Sequence, residues 1–119
     1  MRVIAGIYKG KKILLPKDIN TRPLKDLTKE SIFNIIEHSN KFSIDLNNAD
    51  VLDLFSGTGS FGIECLSRGA KHVFFVEYYK EVLPILKKNL SNLKSSIGYK
   101  IIEKNIFSSL NFNIFNKHF

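Results

Sequence analysis

The residues best suited to chemistry are a set of glycines flanked by two carboxylates, Asp53 and Glu77. Gly57, Gly59 and Gly62 form a G-x-G-x-x-G pattern straight after an apolar run. In a strand–turn–helix unit such a turn presents backbone N–H groups and a helix N-terminus to a ligand. Glu77 ends the next strand-like run, where a carboxylate can accept hydrogen bonds from ribose hydroxyls. The pattern indicates an adenosine-type ligand, and NAD, FAD and S-adenosylmethionine fit it equally well.

Asp53 separates these ligands by charge. A dinucleotide would place an anionic pyrophosphate over the glycines, and a nearby carboxylate would repel it. S-adenosylmethionine has no phosphate there and carries an ammonium and a sulfonium, which a carboxylate attracts. We therefore expect S-adenosylmethionine as the cofactor, with a dinucleotide-binding oxidoreductase domain as the alternative. Two plainer interpretations stay open: Asp53 caps the N–H groups of the turn, and Glu77 is a solvated strand end.

Positive charge is concentrated at the start of the chain. Residues 1–29 hold eight basic and two acidic residues, a net charge of +6, and the whole chain of 119 residues carries +7. A basic end on a small domain is typical of proteins that bind a phosphate backbone, although a lysine-rich, A/T-biased genome would also produce it. A non-catalytic RNA-binding remnant is therefore a further alternative. The candidate RNA-binding residues are Arg2, Lys9, Lys11, Lys12 and Arg22.

The elements that would hold these residues differ between the two ends of the chain. Residues 3–8 and 12–15 are strand-like on either side of a Lys-Gly-Lys turn, which predicts a basic β-hairpin. A helix is predicted from about Lys25 to His38, and its expected apolar stripe is Leu27, Ile32, Ile35 and Ile36. The predicted domains are a hairpin and connector over residues 1–24 and a Rossmann-like domain over residues 25–119.

The second region alternates between strand and helix. Strands are predicted over residues 51–55, 72–76 and, more weakly, 100–103, with helices over 60–68 and about 81–93. Pro84 should lie in the first turn of the second of these helices, where a missing N–H costs little. The apolar stripe of that helix is Val82, Leu86, Leu90 and Leu93. The alternation predicts a right-handed, doubly wound α/β unit.

The remaining sequence features exclude several classes of protein. No apolar run approaches the roughly 18 residues that a membrane-spanning helix needs, and the first residues do not resemble a signal peptide. Cys65 is the one cysteine, so an internal disulfide is excluded, and a cytoplasmic location is expected. We expect this thiol to be buried and inert. The three histidines are far apart in sequence and predict no metal site.

Residues 53–70, DLFSGTGSFGIECLSRGA, resemble the first motif of the bacterial 16S rRNA guanine-N2 methyltransferase family. The resemblance extends from residue 1 to about residue 110 and includes an opening hairpin that a generic Rossmann protein would not share. It implies a Rossmann-like, S-adenosylmethionine-dependent methyltransferase fold, with 16S rRNA or a small-subunit assembly particle as the partner. The further matching stretches, in order, are Met1–Gly6, the turn at residues 9–11, Thr21-Arg22-Pro23, Glu30–Asn34, Phe75-Val76-Glu77 and Asn89-Leu90.

The resemblance also implies roles for individual residues. Asp53, Gly57 and Gly59 would line the methionine end of the methyl donor, and Glu77 would hold the ribose. Asn105 stands where the family usually has an aspartate that accepts from the adenine amino group, so we expect weakened recognition there. The implied donor-binding residues are Asp53, Phe55, Gly57, Gly59, Glu77 and Asn105.

The motif that delivers the methyl group in this family is missing. The family acts through an Asp/Asn-Pro-Pro-Phe/Tyr motif, whereas the prolines here are Pro16, Pro23 and Pro84, and no two are adjacent. No catalytic residue is therefore assigned. We expect a fold truncated after about three strands and inactive as an isolated chain. Its first strand would be an unpaired edge that a second polypeptide could complete.

Overall fold

The computed structural model describes residues 1–17, 26–38, 45–94 and 98–105. Three parallel strands lie in the order β1-β2-β3. Strands and helices alternate along the chain, which confirms the predicted α/β class. Along the chain the elements are α1 (Asp26–His38), β1 (Asp50–Asp53), α2 (Ser60–Ser67), β2 (His72–Val76), α3 (Leu83–Ser91) and β3 (Gly98–Ile102).

The sheet has two faces with different surroundings. On one face, Val73 and Phe75 of β2 join the main core, to which all three helices contribute buried side chains. On the other face, Phe74 and Val76 belong to a smaller apolar cluster with Ile102. This alternation follows from the two-residue period of a strand, and it explains why the sequence of β2 is an almost continuous apolar run.

Helix α3 follows its prediction closely. Leu86 and Leu90 are almost completely buried, as are Val82 just before the helix and Leu93 just after it. Pro84 lies in the first turn, as expected. Among the helices that the structure describes, none is long and apolar enough to cross a membrane.

Helix α1 has the predicted extent, but its predicted buried face is only partly right: Ile36 packs against the main core as predicted. Leu27 and Ile35 are 77% and 53% exposed, whereas Lys29 and Phe33 are completely buried. The ring of Phe33 stacks on that of Phe61 with 4.9 Å between centroids. Lys29 can be buried because its ammonium has polar partners inside the protein, which a rule based on apolar periodicity does not anticipate.

Residues 1–17, here called the N-terminal segment, form a looser structure than the predicted hairpin. The two halves do run antiparallel, with one bridge between Arg2 and Lys12. The regular strands predicted on either side are wrong, since residues 5–10 form bends and turns. Residues 18–25 lie outside the described residues, and so do residues 106–119. The first of these ranges contains Arg22 and the rest of the predicted connector.

The N-terminal segment departs from strand geometry because its N–H groups bind helix α2. The N–H groups of Ile4 and Ala5 donate to the carboxylate of Glu64, at 2.9 and 3.1 Å. Ile7 N–H donates to the carbonyl oxygen of Ser67 at 2.9 Å. Ladder bonds remain at the start of the segment, where Val3 N–H and Ile13 N–H donate to the carbonyl oxygens of Lys11 and Met1. The residues that follow Val3 bind α2 instead, so the segment is packed onto the α/β unit.

Candidate functional site

Three of the predicted site residues follow the carboxyl ends of the three strands. Asp53 ends β1, Glu77 comes directly after β2, and Asn105 lies three residues beyond β3. Because the strands are parallel and adjacent, these positions share one edge of the sheet, where ligands of open α/β sheets bind. Phe55, two residues after β1, is 69% exposed beside the same edge.

The glycine turn, residues 56–59, needs its two glycines for different reasons. Both have positive φ, +54° at Gly57 and +90° at Gly59, which glycine adopts at little cost. A Cβ on Gly59 would lie 2.7 Å from Leu86 Cδ1, whereas a Cβ on Gly57 would meet nothing within 4 Å. Gly59 is therefore needed for packing under the turn, and the open space beside Gly57 is where a ligand can approach the backbone.

Gly62 has a third and purely structural role. A Cβ there would lie 2.3 Å from the ring of Phe75, so this glycine lets α2 approach β2 closely. The G-x-G-x-x-G pattern thus combines one glycine beside open space, Gly57, with two glycines in close contacts inside the protein, Gly59 and Gly62.

The carboxylate of Glu77 already holds the turn and the start of the next loop. Its Oε1 accepts from Gly57 N–H at 2.8 Å, and its Oε2 accepts from the N–H groups of Tyr78 and Tyr79, each at 3.1 Å. A carboxylate can accept roughly four hydrogen bonds, so one further hydroxyl can be accommodated. A second hydroxyl would require Glu77 to release one of its backbone partners.

Two N–H groups of the glycine turn are used within the protein. Gly57 N–H donates to Glu77, and Gly59 N–H donates to the carbonyl oxygen of Ser56 at 2.8 Å. A pyrophosphate on this turn would need such donors and would also face two carboxylates. The arrangement therefore disfavours a dinucleotide.

Asp53 is the electrostatically unusual group of the site. Its Oδ2 is buried and has no hydrogen-bond partner within the part of the chain that the structure describes. Burial, partly opposed by the N–H of Phe55 and reinforced by the charge of Glu77, raises the pKa of Asp53 to about 6. A buried carboxylate oxygen without a partner is costly, and a cationic ligand would offset that cost. The site fits S-adenosylmethionine in this respect.

Because of this pKa, Asp53→Asn should stabilise the ligand-free protein at neutral pH. Its folded-state pKa lies above the ordinary value of 3.8, so the folded state binds more protons between about pH 4 and pH 6. The free energy of unfolding contributed by Asp53 therefore falls as pH rises through that window. At pH 7 the free energy of unfolding of the variant should exceed that of the wild type by about 1–3 kcal/mol, and this difference should shrink toward pH 4. Urea unfolding at both pH values measures this, and a difference independent of pH would contradict it.

A buried ionic cluster that the sequence did not predict lies beneath the site. Lys29 Nζ is 3.2 Å from Glu64 Oε1, and Arg68 Nε is 2.9 Å from Glu64 Oε2, with Lys29 and Glu64 fully buried. Burial alone would raise the pKa of Glu64, but the N–H of Ile4, the Arg68 guanidinium and further partners hold it below its ordinary value. Glu64 is therefore ionised at neutral pH and joins α1, α2 and the N-terminal segment.

Asn89 is a second buried polar residue that the sequence analysis assigned no role. Its Nδ2 donates to the carbonyl oxygens of Thr58 and Leu14, at 2.9 and 3.2 Å, and its Oδ1 accepts from Leu14 N–H at 2.9 Å. One amide therefore connects α3, the glycine turn and the N-terminal segment. The Asn89-Leu90 match was the one sequence signal that pointed to this position.

The basic candidates of the N-terminal segment lie at its surface. Arg2, Lys9 and Lys12 are exposed, and Arg2 donates to the carbonyl oxygen of Gly10 at 3.1 Å. Lys11 Nζ contacts the carbonyl oxygen of Asn92 and lies 5.4 Å from the ring centroid of Tyr8. The side chain of Lys11 thus reaches the C-terminal end of α3.

Cys65 is buried at 1% exposure, as expected. Burial raises the pKa of its thiol to about 12, and the charges of Asp53 and Glu64 add to that shift. A thiol with this pKa is not a nucleophile at neutral pH.

Comparison with known proteins identifies the family. The model of the family described as "Conserved hypothetical protein 95" matches residues 1–117. The chain belongs to this family. A curated relative in Haemophilus influenzae, named "Ribosomal RNA small subunit methyltransferase D", is 41% identical over 96 residues, which is 81% of this chain and 47% of the relative. The relative of the same name in Escherichia coli is 32% identical over 110 residues, or 92% of this chain and 52% of the relative.

A solved structure gives the same result for the fold. The Escherichia coli protein described as "Putative methyltransferase yhhF" superposes with a TM-score of 0.74 at 30% identity, covering 91% of this chain and 54% of that protein. The methyltransferase fold and the family resemblance are therefore confirmed. The chain spans about half the length of the curated relatives it matches.

Proposed function

We propose that this chain forms the S-adenosylmethionine-binding part of a methyltransferase that acts on the guanine N2 position of 16S rRNA. The names of its relatives support the reaction class and the small-subunit RNA. The single observation that carries the choice of cofactor is Asp53: one of its buried oxygens has no partner among the described residues, which suits a cationic ligand beside a glycine turn.

The proposed contacts use the residues at the carboxyl edge of the sheet. Asp53, Gly57 and Gly59 face the methionine end, Glu77 accepts from the ribose, and Asn105 accepts from the adenine. Phe55 covers the ligand from beside the same edge of the sheet. When bound, S-adenosylmethionine supplies a methyl group on a positively charged sulfur. The protein's contribution in residues 1–119 is to orient that group and to balance its charge.

Delivery of the methyl group needs residues that this sequence does not contain. Since no two prolines are adjacent, no position can serve as the Asp/Asn-Pro-Pro-Phe/Tyr motif. We expect a polypeptide of residues 1–119 to give no detectable incorporation of radiolabelled methyl into 16S rRNA or small-subunit particles. Robust incorporation would contradict this. A second polypeptide that completes the sheet beside β1 stays a prediction, as does the division of domains at residue 24.

For the RNA, we propose that Arg2, Lys9, Lys11, Lys12 and Arg22 contact phosphates. The proposed setting is the cytoplasm, where rRNA is modified. If the chain is instead an RNA-binding remnant, it should bind RNA with a strong dependence on salt and should bind no methyl donor. Fluorescence anisotropy with labelled RNA at several salt concentrations, beside donor titrations, separates the two cases.

The cofactor assignment is tested by calorimetric titration of the protein with S-adenosylmethionine and with NAD. We expect binding of the former and none of the latter, because Asp53 and Glu77 would repel a pyrophosphate. Asp53→Asn should weaken donor binding by about tenfold or more, since it removes a buried charge partner. The control is Asp50→Asn at the other end of β1, where the carboxylate contacts His72 at 3.1 Å. Tight NAD binding, or equal effects of the two variants, would overturn the assignment.

A further inference from the structure

We infer that Asn89 and Lys29 are positioning residues through which the N-terminal segment holds the glycine turn in its donor-binding conformation. Binding of RNA to that segment and binding of the methyl donor to the turn should therefore strengthen each other. The inference rests on the proposed function for the identity of the two ligands. The connection itself rests on hydrogen bonds between buried groups.

Asn89 forms the first connection, at the middle of the turn. Asn89 is 4% exposed, and its three side-chain hydrogen bonds within the described part of the chain run to backbone groups of other elements. It binds both the N–H and the carbonyl of Leu14 in the N-terminal segment, and it donates to the carbonyl of Thr58 between the two glycines of the turn. A displacement of Leu14 therefore changes the support of Thr58 directly.

Lys29 forms the second connection, where the turn enters α2. Its ammonium donates to the carbonyl oxygen of Arg2 and to Ser60 Oγ, both at 3.0 Å. Ser60 is the first residue of α2 and follows Gly59 directly. Since Lys29 is fully buried and paired with Glu64, its ammonium has little freedom to choose other partners.

The two connections join the proposed RNA contacts to the glycine turn, one at its middle and one where it enters α2. Arg2 supplies a basic side chain outside and a carbonyl to Lys29 inside. Leu14 closely follows the basic residues Lys11 and Lys12. A ligand that restrains either partner reduces the conformational freedom that the other ligand must remove, and such coupling is reciprocal.

The test compares donor affinity with and without RNA. The dissociation constant of S-adenosylmethionine is measured by calorimetry for the wild type, alone and with a saturating synthetic stem-loop RNA. We expect RNA to tighten donor binding by at least about fivefold, the lower end of common coupling. In Asn89→Ala that ratio should fall clearly below the wild-type value, because Thr58 loses its connection to Leu14 while the connection through Lys29 stays. The matched control is Ser91→Ala, an exposed position on α3 whose hydroxyl donates to the carbonyl of Lys88 in the same helix. This variant should keep the wild-type ratio.

A second measurement needs no variant. The amide NMR signals of Gly57 and Gly59 should shift when the RNA is added to the wild type without donor, whereas a purely structural role for Asn89 would leave them in place. If Asn89→Ala does not fold, this measurement on the wild type still decides the inference.

The outcomes separate the inference from the proposed function. Wild-type protein that binds both ligands independently, with unshifted glycine signals, overturns the inference and leaves the proposed function intact. A folded Asn89 variant that retains the wild-type ratio also overturns it. Failure of the wild type to bind S-adenosylmethionine at all overturns the proposed function, and the glycine signals then still decide whether RNA reaches the turn.

Discussion

Glu64→Gln should lower the free energy of unfolding by about 3–5 kcal/mol, the usual result of removing one partner from a buried ion pair. The substitution leaves the ammonium of Lys29 and the guanidinium of Arg68 without their shared anion. The amide NH2 of the new side chain would take the place of one carboxylate oxygen, so it would face the N–H of either Ile4 or Ala5, donor against donor. Small domains have a free energy of unfolding of only about 5–15 kcal/mol, so the expected loss is a large fraction of the total stability. Urea unfolding followed by circular dichroism measures the loss.

The control is an ion pair of the same type at the surface. Lys87 Nζ lies 3.1 Å from Glu103 Oε1, and both side chains are about half exposed, at 52% and 51%. Glu103→Gln should therefore cost only about 0–1 kcal/mol, since water already solvates both groups. Equal losses in the two variants would show that burial does not govern the Glu64 cluster.

Gly6→Ala should detach the N-terminal segment from α2, at a cost of about 3 kcal/mol or more. Gly6 has φ +86°, and a Cβ there would lie 1.9 Å from the carbonyl oxygen of Ser67. That oxygen accepts from Ile7 N–H, and Ser67 Oγ accepts from Tyr8 N–H at 2.9 Å, so any retreat from the clash breaks both bonds. Strain from the backbone angle and from overpacking each contribute on the order of 1–3 kcal/mol. Thermal unfolding gives the size of the effect.

A glycine in the same segment isolates the clash from the backbone strain. Gly10 has nearly the same φ, +84°, but a Cβ there would meet nothing within 4 Å. Gly10→Ala should therefore cost about 1–2 kcal/mol, from conformation alone. If the two alanine variants were equally stable, the close approach of Gly6 to α2 would not matter in solution. Hydrogen exchange at Ile7 and Tyr8 should rise in the Gly6 variant only.

The strand–helix alternation was predictable because it follows from the local spacing of apolar residues along the chain. The observed bounds of β2 coincide with the prediction, since a strand covered on both faces is a continuous apolar run. Strand β1 ends at Asp53, two residues before the predicted end. Leu54 and Phe55 are apolar, but they already form the bend that leads from β1 into the glycine turn. Composition cannot show where the hydrogen-bond ladder of a strand stops.

The positions at the sheet edge were also predictable, but the contacts that support them were not. Asp53 and Glu77 could be placed from strand ends and from charge. The burial of Lys29 depends on Glu64, which lies 35 positions later in the sequence. The three bonds of Asn89 likewise run to segments 31 and 75 positions away. A periodicity rule counts lysine and asparagine as surface residues, because it has no information about partners that distant parts of the chain supply.

The burial of Cys65 makes the folded core observable by simple chemistry. As the one thiol in the sequence, it is the single place where a disulfide reagent can react. Reaction requires both exposure and ionisation, so labelling proceeds only while α2 is open, when the thiol regains an ordinary pKa. If closing is fast, the ratio of the observed labelling rate to that of a free thiol gives the opening equilibrium of this helix. The labelling rate of Cys65 in the unmodified protein therefore reports local unfolding beneath the glycine turn. Each bound ligand should lower that rate by a measurable factor.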